Sequence, residues 1–244
     1  MSLSDRISNW IKDKVIEAGA KGAVFGLSGG LDSACVAVLC HKAFKDNILG
    51  ITMPCESHGD DRKYVELLTD KFNIKTEDVC LDSVYKEFAG ILPVGDDLSR
   101  ANIKPRLRMI TLYYYANNLN YLTIGTGNKS ELTVGYFTKH GDGGADLLPL
   151  GDLTKTEVRQ LAKELDIPQE LIDRPPTAGL WHGQTDEEEL GITYKALDKA
   201  ITAIENNQID SFEDKKTLQR VLKLKKNALH KLVATPIYKK SGEK

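Results

Sequence analysis

The segment GLSGGLDS, residues 26–33, combines small, hydroxyl-bearing and acidic residues in a pattern that suits phosphate chemistry. Gly29 and Gly30 let the backbone approach a ligand closely, and Ser28 and Ser33 supply hydroxyl groups. An apolar run precedes the segment and an Ala-rich run follows it, which predicts a strand, a turn and a helix. Because the amide N–H groups at a helix start attract anions, the segment predicts a phosphate-binding loop.

Asp32 adds a carboxylate to this loop, where a phosphate binder alone gains nothing from negative charge. A bridging Mg²⁺ is the natural partner, since it binds carboxylate and phosphate oxygens together. The loop lacks the lysine of a Walker A sequence and the spacing of a G-x-G-x-x-G dinucleotide fingerprint. From composition alone, a Gly-rich turn with Asp32 as a helix-start residue stays open.

Lys155 stands at a second predicted helix start. Thr154 and Glu157 have the spacing of a capping box, which makes Thr154 the N-cap and places Lys155 in the first turn. A cation there opposes the helix dipole by roughly 0.3–1 kcal/mol, so we expect an anion nearby. The alternative is a lysine that extends into water.

Strand and helix patterns alternate along the first half of the chain, which is typical of a parallel sheet with right-handed crossovers. The predicted strands are 22–27, 47–54, 74–81 and 120–127. Residues 135–153 are too Gly-rich and irregular for a regular element and predict a functional loop. Three amphipathic helical stripes follow. We therefore expect an α/β fold, a Rossmann-like doubly wound parallel sheet flanked by helices, with C-terminal helices and ligands at the strand ends.

Composition narrows the class of partner. The chain has 244 residues, is 41% hydrophobic and carries a formal net charge of -2, which argues against a general nucleic-acid or anionic-membrane binder. No apolar run approaches the ~18 residues of a membrane span, and the first residues lack the apolar core of a secretory signal. No cysteine pair has C-x-x-C spacing. The expectation is a cytoplasmic protein whose partners bind at a local site.

Several motifs together resemble a known family. SGGLDS resembles the SGGxDS loop of ATP pyrophosphatases, which split ATP between the α and β phosphates and adenylate an acceptor oxygen. Five further motifs and a late His-Lys pair resemble, in order, the ammonia-dependent NAD synthetases. The five are NIKPRLRM (102–109), IGTGNKSE (124–131), GYFTKHGDGGADLLPL (135–150), LTKTEVRQLA (153–162) and RPPTAGLW (174–181). The resemblance implies amidation of nicotinic acid adenine dinucleotide (deamido-NAD) with ammonia, through an acyl adenylate, to give NAD, AMP and pyrophosphate.

The resemblance also implies a role for particular residues. The implied ATP contacts are Gly26, Leu27, Ser28, Gly29, Gly30, Leu31, Asp32, Ser33, Thr126, Lys155 and Thr177. The implied Mg²⁺ ligands are Asp32 and Glu131. The implied deamido-NAD contacts are Arg106, Lys139, Asp146, His230 and Lys231, of which the last two reach the site across a homodimer interface. The implied catalytic residues are Asp32, Lys155 and Asp146, the last as a hypothetical base for ammonia.

Some of these assignments have simpler alternatives. Glu131 could be a helix-start carboxylate, Arg106 a helix-surface charge, and His230 with Lys231 a complement to a helix C-terminus. In PCESHGDD, His58 stands near a position where many relatives carry glutamine, so adenosine contacts over residues 53–58 stay open. Whether residues 182–190, HGQTDEEEL, close as a lid is also open.

Two other functions compete with the synthetase. One is another SGGxDS enzyme that aminates a purine nucleotide or thiolates tRNA; the purine branch lacks FTKHGDGGAD, and the thiolation branch needs paired cysteines and a basic surface. The other is a non-catalytic nucleotide-binding module, which has no need of two separated metal carboxylates. Glutamine-using relatives add an amidase domain, whereas the synthetase pattern accounts for residues 1–244 as a single domain. The predicted nitrogen donor is therefore free ammonia.

Overall fold

A four-stranded parallel sheet lies at the centre of the computed structural model, which describes residues 1–56, 61–177, 179 and 183–240. The strands are β1 Gly22–Gly26, β2 Ile48–Thr52, β3 Thr76–Asp78 and β4 Tyr121–Ile124. Their spatial order is β3-β2-β1-β4, and all three pairings are parallel. Each predicted strand is confirmed in place, but the edge strand β3 has three residues instead of the eight in 74–81 because it pairs only along β2.

Twelve helices surround this sheet in the described part of the chain. They are α1 Leu3–Glu17, α2 Leu31–Phe44, α3 Asp61–Phe72, α4 Asp82–Ile91, α5 Asp97–Ala101, α6 Ile103–Leu119, α7 Lys129–Val134, α8 Lys155–Glu164, α9 Gln169–Ile172, α10 Asp186–Leu190, α11 Tyr194–Glu205 and α12 Lys215–Leu232. Helix α1 is not among the elements predicted from the sequence, although Ser2 and Asp5 form a capping box and Ile11 and Val15 are fully buried.

Helices cover both faces of the sheet, and successive strand residues point to opposite faces. Ala23 and Phe25 of β1 pack into one core with α1, α2, α3, α8 and α9. Val24 packs into a second core with Leu49, Ile51 and the helices α4 and α6. This arrangement confirms the doubly wound α/β fold.

The C-terminal helices form a third apolar cluster around Tyr194, Leu197 and Ile201 of α11 and Val221 of α12. The predicted stripes on α8 and α11 face these cores. The stripe on α12 is only partly buried: Leu218 is buried, whereas the exposed fractions of Leu222, Leu229 and Leu232 are 37%, 60% and 45%. The second half of α12 therefore presents an apolar surface to its surroundings.

The segment between Gly135 and Leu153 contains no helix or strand, as predicted. An isolated parallel bridge between Ile124 and Leu147 fastens it beside the carboxyl end of β4. The segment is thus held against the edge of the sheet where ligands are expected. None of the helices in the described part of the chain has the length and apolar character needed to cross a bilayer.

Candidate active site

A cleft of about 970 Å³ lies at the carboxyl ends of the strands. Strands β2 and β4 lie on opposite sides of β1, so the strand order reverses at β1. The cleft therefore lies at the topological switch point of the sheet. All residues of the loop 26–33 except Gly29 line it. Thr126, two residues after the end of β4, and Thr177 line it as well. The residues predicted to contact ATP, apart from Gly29, therefore line one cleft, and their binding of ATP stays a prediction.

The phosphate-type loop is shaped by its own serines. The Ser33 hydroxyl donates to the Gly30 carbonyl at 2.8 Å, and the Ser28 amide donates to Ser33 Oγ at 3.3 Å. Gly30 N–H donates to Ser28 Oγ at 3.3 Å. These hydroxyls thus cross-link the turn between β1 and α2 by hydrogen bonds within it.

Arg174 holds the outer side of this loop. Its Nη1 donates to the Gly29 carbonyl at 2.8 Å, its Nη2 pairs with Asp61, and its guanidinium lies 4.5 Å from the centre of the Tyr64 ring. Gly29 has a φ of +71°, and a Cβ there would lie 2.7 Å from the Asp61 carbonyl oxygen. Sequence reasoning assigns no role to Arg174, although its place in the motif RPPTAGLW was the available signal.

Lys155 is the charged centre of the cleft floor. It is only 3% exposed, and its Nζ forms ion pairs with Asp32 and, at 3.3 Å, with Glu131. The predicted capping box is confirmed, since Thr154 Oγ1 accepts from Glu157 N–H at 3.3 Å and Thr154 N–H donates to Glu157 at 2.7 Å. The alternative of a lysine extending into water is wrong. The anions that offset this first-turn cation are carboxylates of the chain itself.

Asn128 brings the two carboxylates together. Its Nδ2 donates to Asp32 Oδ1 at 3.1 Å, while its Oδ1 accepts from Glu131 N–H at 3.0 Å as the N-cap of α7. Glu131 is thus a helix-start carboxylate and also a wall of the cleft. The sequence missed Asn128, which is fully buried; its capping-box spacing to Glu131 was the signal.

Burial and neighbouring charges shift the pKa values of Glu131 and Lys155. Burial raises the pKa of Glu131 to about 7, with Asp32 adding to the rise and Lys155 opposing it. Burial alone lowers the pKa of Lys155, but Asp32 and Glu131 outweigh it and hold that pKa above its usual range. The carboxylates therefore keep Lys155 charged, and one ammonium group does not fully neutralise them.

A second layer of residues holds Lys155 in position. Its backbone N–H donates to Ser130 Oγ at 2.9 Å, and Ser130 donates to Asp198 of α11. The other oxygen of Asp198 accepts from Thr156 N–H at 2.8 Å and Thr156 Oγ1 at 2.6 Å. Asp198 is 6% exposed, so α7, α8 and α11 are joined by one buried carboxylate. The sequence gave no sign of this contact.

Tyrosines and carboxylates lie at the cleft next to Glu131 and Lys155. The Tyr194 hydroxyl donates to Asp186 Oδ2 at 2.9 Å and lies 3.4 Å from Glu131 Oε1. The Tyr136 hydroxyl donates to Glu189 at 2.8 Å. The segment 182–190, considered as a lid, includes α10, whose first residue Asp186 is buried. It also includes His182, which lies outside the described residues. His58 also lies outside them.

The residues implied to hold deamido-NAD fall into two places. Four of them meet at one rim: Arg106 Nη2 donates to the Lys139 carbonyl at 3.3 Å, and Lys139 Nζ donates to the His230 carbonyl at 2.7 Å. Lys231 lines the cleft and donates to the Gly135 carbonyl at 2.7 Å. These contacts form a basic rim at the C-terminal end of α12.

Asp146 lies apart from that rim and does not line the cleft. One of its carboxylate oxygens accepts from Thr123 N–H at 2.7 Å, and the other accepts from the Tyr113 hydroxyl at 3.0 Å. Asp142, from the same GDGG segment, does line the cleft. The sequence did not single out Asp142.

The family model described as NAD synthase matches residues 3–240. The chain belongs to the NAD synthase family. An NH3-dependent NAD+ synthetase of Carboxydothermus hydrogenoformans is 51% identical to it over 200 residues, which cover 80% of this chain and 82% of that relative.

Two solved structures share the fold. An NMN synthetase from Francisella tularensis has a TM-score of 0.86 at 36% identity, covering 98% of this chain and all of that one. An NH3-dependent NAD synthetase from Campylobacter jejuni has a TM-score of 0.84 at 28% identity, with the same coverage. The predicted family, fold class and C–N bond-forming ligase activity are confirmed. The family uses ATP as a substrate, which favours the synthetase over a non-catalytic module.

Proposed function

We propose that this cleft amidates deamido-NAD with free ammonia in two steps, in a single synthetase domain. In the first step a nicotinate carboxylate oxygen attacks the α-phosphorus of ATP, giving an acyl adenylate and pyrophosphate. In the second step the ammonia nitrogen attacks the acyl carbon and AMP leaves. The observation that carries this proposal is the meeting of Asp32, Glu131 and Lys155 beside the loop 26–33.

The loop and the lysine perform the phosphate part of the reaction. Backbone amides and hydroxyls of residues 26–33 face the cleft, where they bind the pyrophosphate portion of ATP. Lys155 offers a fixed positive charge to phosphate oxygens, and its burial removes the cost of reorganisation when charge develops. Thr126 and Thr177 line the same cleft and contact the nucleotide.

Asp32 and Glu131 would hold Mg²⁺, which supplies positive charge to the phosphates. The donors fit this ion, because they are oxygens and two carboxylates share one ammonium group. No group of three or more His, Cys, Asp or Glu side chains among the described residues forms a complete metal cage. Mg²⁺ itself uses one or two carboxylates and leaves other positions to water and substrate phosphates.

The active assembly that we propose is a homodimer. Leu229, Leu232 and Val233 expose 60%, 45% and 46% of their surface at the end of α12, next to His230 and Lys231. A second copy that covers these side chains would bring the basic rim to the dinucleotide at the interface. Light scattering should therefore give about twice the 27.0 kDa mass of the chain.

A second acceptor merits testing, because an NMN synthetase shares the fold at a TM-score of 0.86. A synthetase that forms NMN by the same chemistry would amidate nicotinic acid mononucleotide. The two acceptors differ by an adenylate group and have the same reacting carboxylate.

The test is pyrophosphate release and product formation from MgATP. We expect release that depends on deamido-NAD and NAD formation that also depends on ammonium, with less product from the mononucleotide or with glutamine. Lys155→Ala should abolish release, whereas Lys163→Ala, on the exposed last turn of the same helix, should retain it. Pyrophosphate release that was indifferent to deamido-NAD would contradict the proposal.

A further inference from the structure

The part of the cleft next to Glu131 contains a group of residues that the reaction described above does not use. We define the acidic cup as Tyr136, Gln184, Asp186, Glu189 and Tyr194; the first four line the cleft. Both tyrosine hydroxyl protons are directed at carboxylates, Tyr136 at Glu189 and Tyr194 at Asp186. The hydroxyl and carboxylate oxygens therefore have only acceptor positions left for a ligand.

Asp186 shows that a donor is missing from this cup. The residue is 4% exposed, and its Oδ1 has no hydrogen-bond partner among the described residues. Its backbone N–H donates to the Pro176 carbonyl at 3.3 Å, which fixes the start of α10 against the segment 174–177. A buried carboxylate oxygen without a donor is costly to maintain, so its persistence in a cleft indicates a ligand that donates to it.

The charge of the cup points to a small cation. Glu131, Asp186 and Glu189 face this side of the cleft, while Lys155 forms ion pairs with Glu131 and Asp32 and also attracts Asp186, so one ammonium group serves three of these four carboxylates. Lys155 Nζ lies 5.1 Å from the centre of the Tyr194 ring, so a face of the cup already accommodates an ammonium group. The Gln184 amide donates to Glu189 at 2.8 Å and to the Tyr136 hydroxyl at 3.4 Å, so this donor is already used within the cup. A partly aromatic pocket that offers oxygen acceptors matches an ion with four N–H donors better than Mg²⁺, which retains its water shell.

We propose that the acidic cup binds the ammonium ion that supplies the amide nitrogen, with Asp186 Oδ1 as its principal acceptor and Glu189 as the second. This inference rests on the proposed amidation. The Tyr194 hydroxyl contacts both Asp186 and Glu131. An ion bound to Asp186 is therefore separated from Glu131, beside the phosphate loop, only by this hydroxyl group.

The nitrogen balance of the step is simple. Ammonium loses one proton to water, and the freed lone pair forms the C–N bond with the acyl carbon. The nitrogen loses a second proton to water as the C–O bond to AMP breaks and AMP takes the electron pair. The cup is a binding site in this scheme, because it raises the local concentration of ammonium next to the adenylate.

The test compares Asp186→Asn and Glu189→Gln with Glu188→Gln, which removes the same charge from the same helix at a side chain that does not line the cleft. NAD formation is measured against ammonium chloride at constant pH, with choline chloride keeping the ionic strength constant. Pyrophosphate release without ammonium reports adenylation separately. We expect Asp186→Asn to raise the KM for ammonium about 10- to 100-fold, as loss of one charge-assisted hydrogen bond would.

The KM values for MgATP and deamido-NAD, the kcat and the ammonium-free pyrophosphate burst should stay within about twofold of wild type. Glu189→Gln should give a smaller rise in the ammonium KM, and it carries the test if a melting curve shows that Asp186→Asn does not fold. An unchanged ammonium KM, or a fall in kcat alone, overturns the proposal. A lost burst or a raised KM for MgATP also overturns it, since Asp186 then belongs to nucleotide binding. If wild type shows no burst, the proposed function itself fails.

Discussion

Replacement of Gly29 by alanine tests how firmly the phosphate loop is held from outside. The residue has a φ of +71°, and the new Cβ would lie 2.7 Å from the Asp61 carbonyl oxygen and 3.0 Å from Arg174 Nη1. The left-handed backbone costs alanine about 1 kcal/mol. Because the Asp61 oxygen belongs to backbone, the loop must shift and break the 2.8 Å bond between Arg174 and the Gly29 carbonyl. That bond, from a charged donor, is worth about 1.5–3 kcal/mol.

The total expected cost is about 3 kcal/mol, the sum of these two effects. It lowers the free energy of unfolding in urea, or it appears as a rise of about 100-fold in the KM for MgATP when the loop relaxes instead. The two effects are separated by Gly19→Ala, since Gly19 has a φ of +70° and nothing within 4 Å of a new Cβ. Gly90→Ala, on exposed helix α4 with nothing within 4 Å, should leave stability equal or higher.

The measurements are urea titrations of the three variants and their KM for MgATP. We expect the order Gly29→Ala, Gly19→Ala, Gly90→Ala from the least to the most stable variant. Equal losses for Gly29→Ala and Gly19→Ala, together with a wild-type KM for MgATP, would show that neither Arg174 nor Asp61 constrains the loop.

Three further predictions concern single carboxylates. Burial raises the pKa of Glu131 to about 7 from 4.5, so the folded state binds the Glu131 proton more tightly than the unfolded state does. The contribution of this residue to the free energy of unfolding in EDTA should therefore be highest below pH 4.5 and fall by about 1–3 kcal/mol up to pH 7. Urea titrations should show a flatter pH dependence for Glu131→Gln. Asp198→Asn should lose about 1–3 kcal/mol of unfolding free energy and lower kcat, since Thr156 and the Lys155 backbone lose their anchor; a KM effect alone would contradict that role. Asp146→Asn distinguishes two roles: intact adenylation with lost amidation would support a base, whereas weaker dinucleotide binding in a titration would identify a binding residue.

Local spacing predicted the parts of the site that lie close together along the chain. The turn 26–33 follows from an apolar strand, two glycines and an Ala-rich helix, and the start of α8 follows from the Thr154 and Glu157 pair. Each depends on contacts within a few residues. The same holds for the four strands, although the ends of β3 depend on how far its neighbour continues beside it.

The remaining features depend on contacts between distant segments. Asp186 and Asp198 look like ordinary helix charges in sequence, and only packing of α10 and α11 against α7 and α8 buries them. Similarly, Leu229 and Leu232 repeat with helical periodicity, but nothing in the period says whether the chain itself covers them. A periodic pattern fixes which face is apolar, while burial is decided by what reaches that face.

Arg174 and Lys155 reach the phosphate loop from 145 and 123 residues further along the chain. On the ribosome, β1 to β4 are complete once residue 124 has emerged, so the sheet can form while both side chains are still in the exit tunnel or unsynthesised. A nascent chain at that stage has the loop sequence without the hydrogen bond from Arg174 and without the positive charge of Lys155. In the proposed function, the contacts of ATP with Lys155 therefore form only after the C-terminal half has docked.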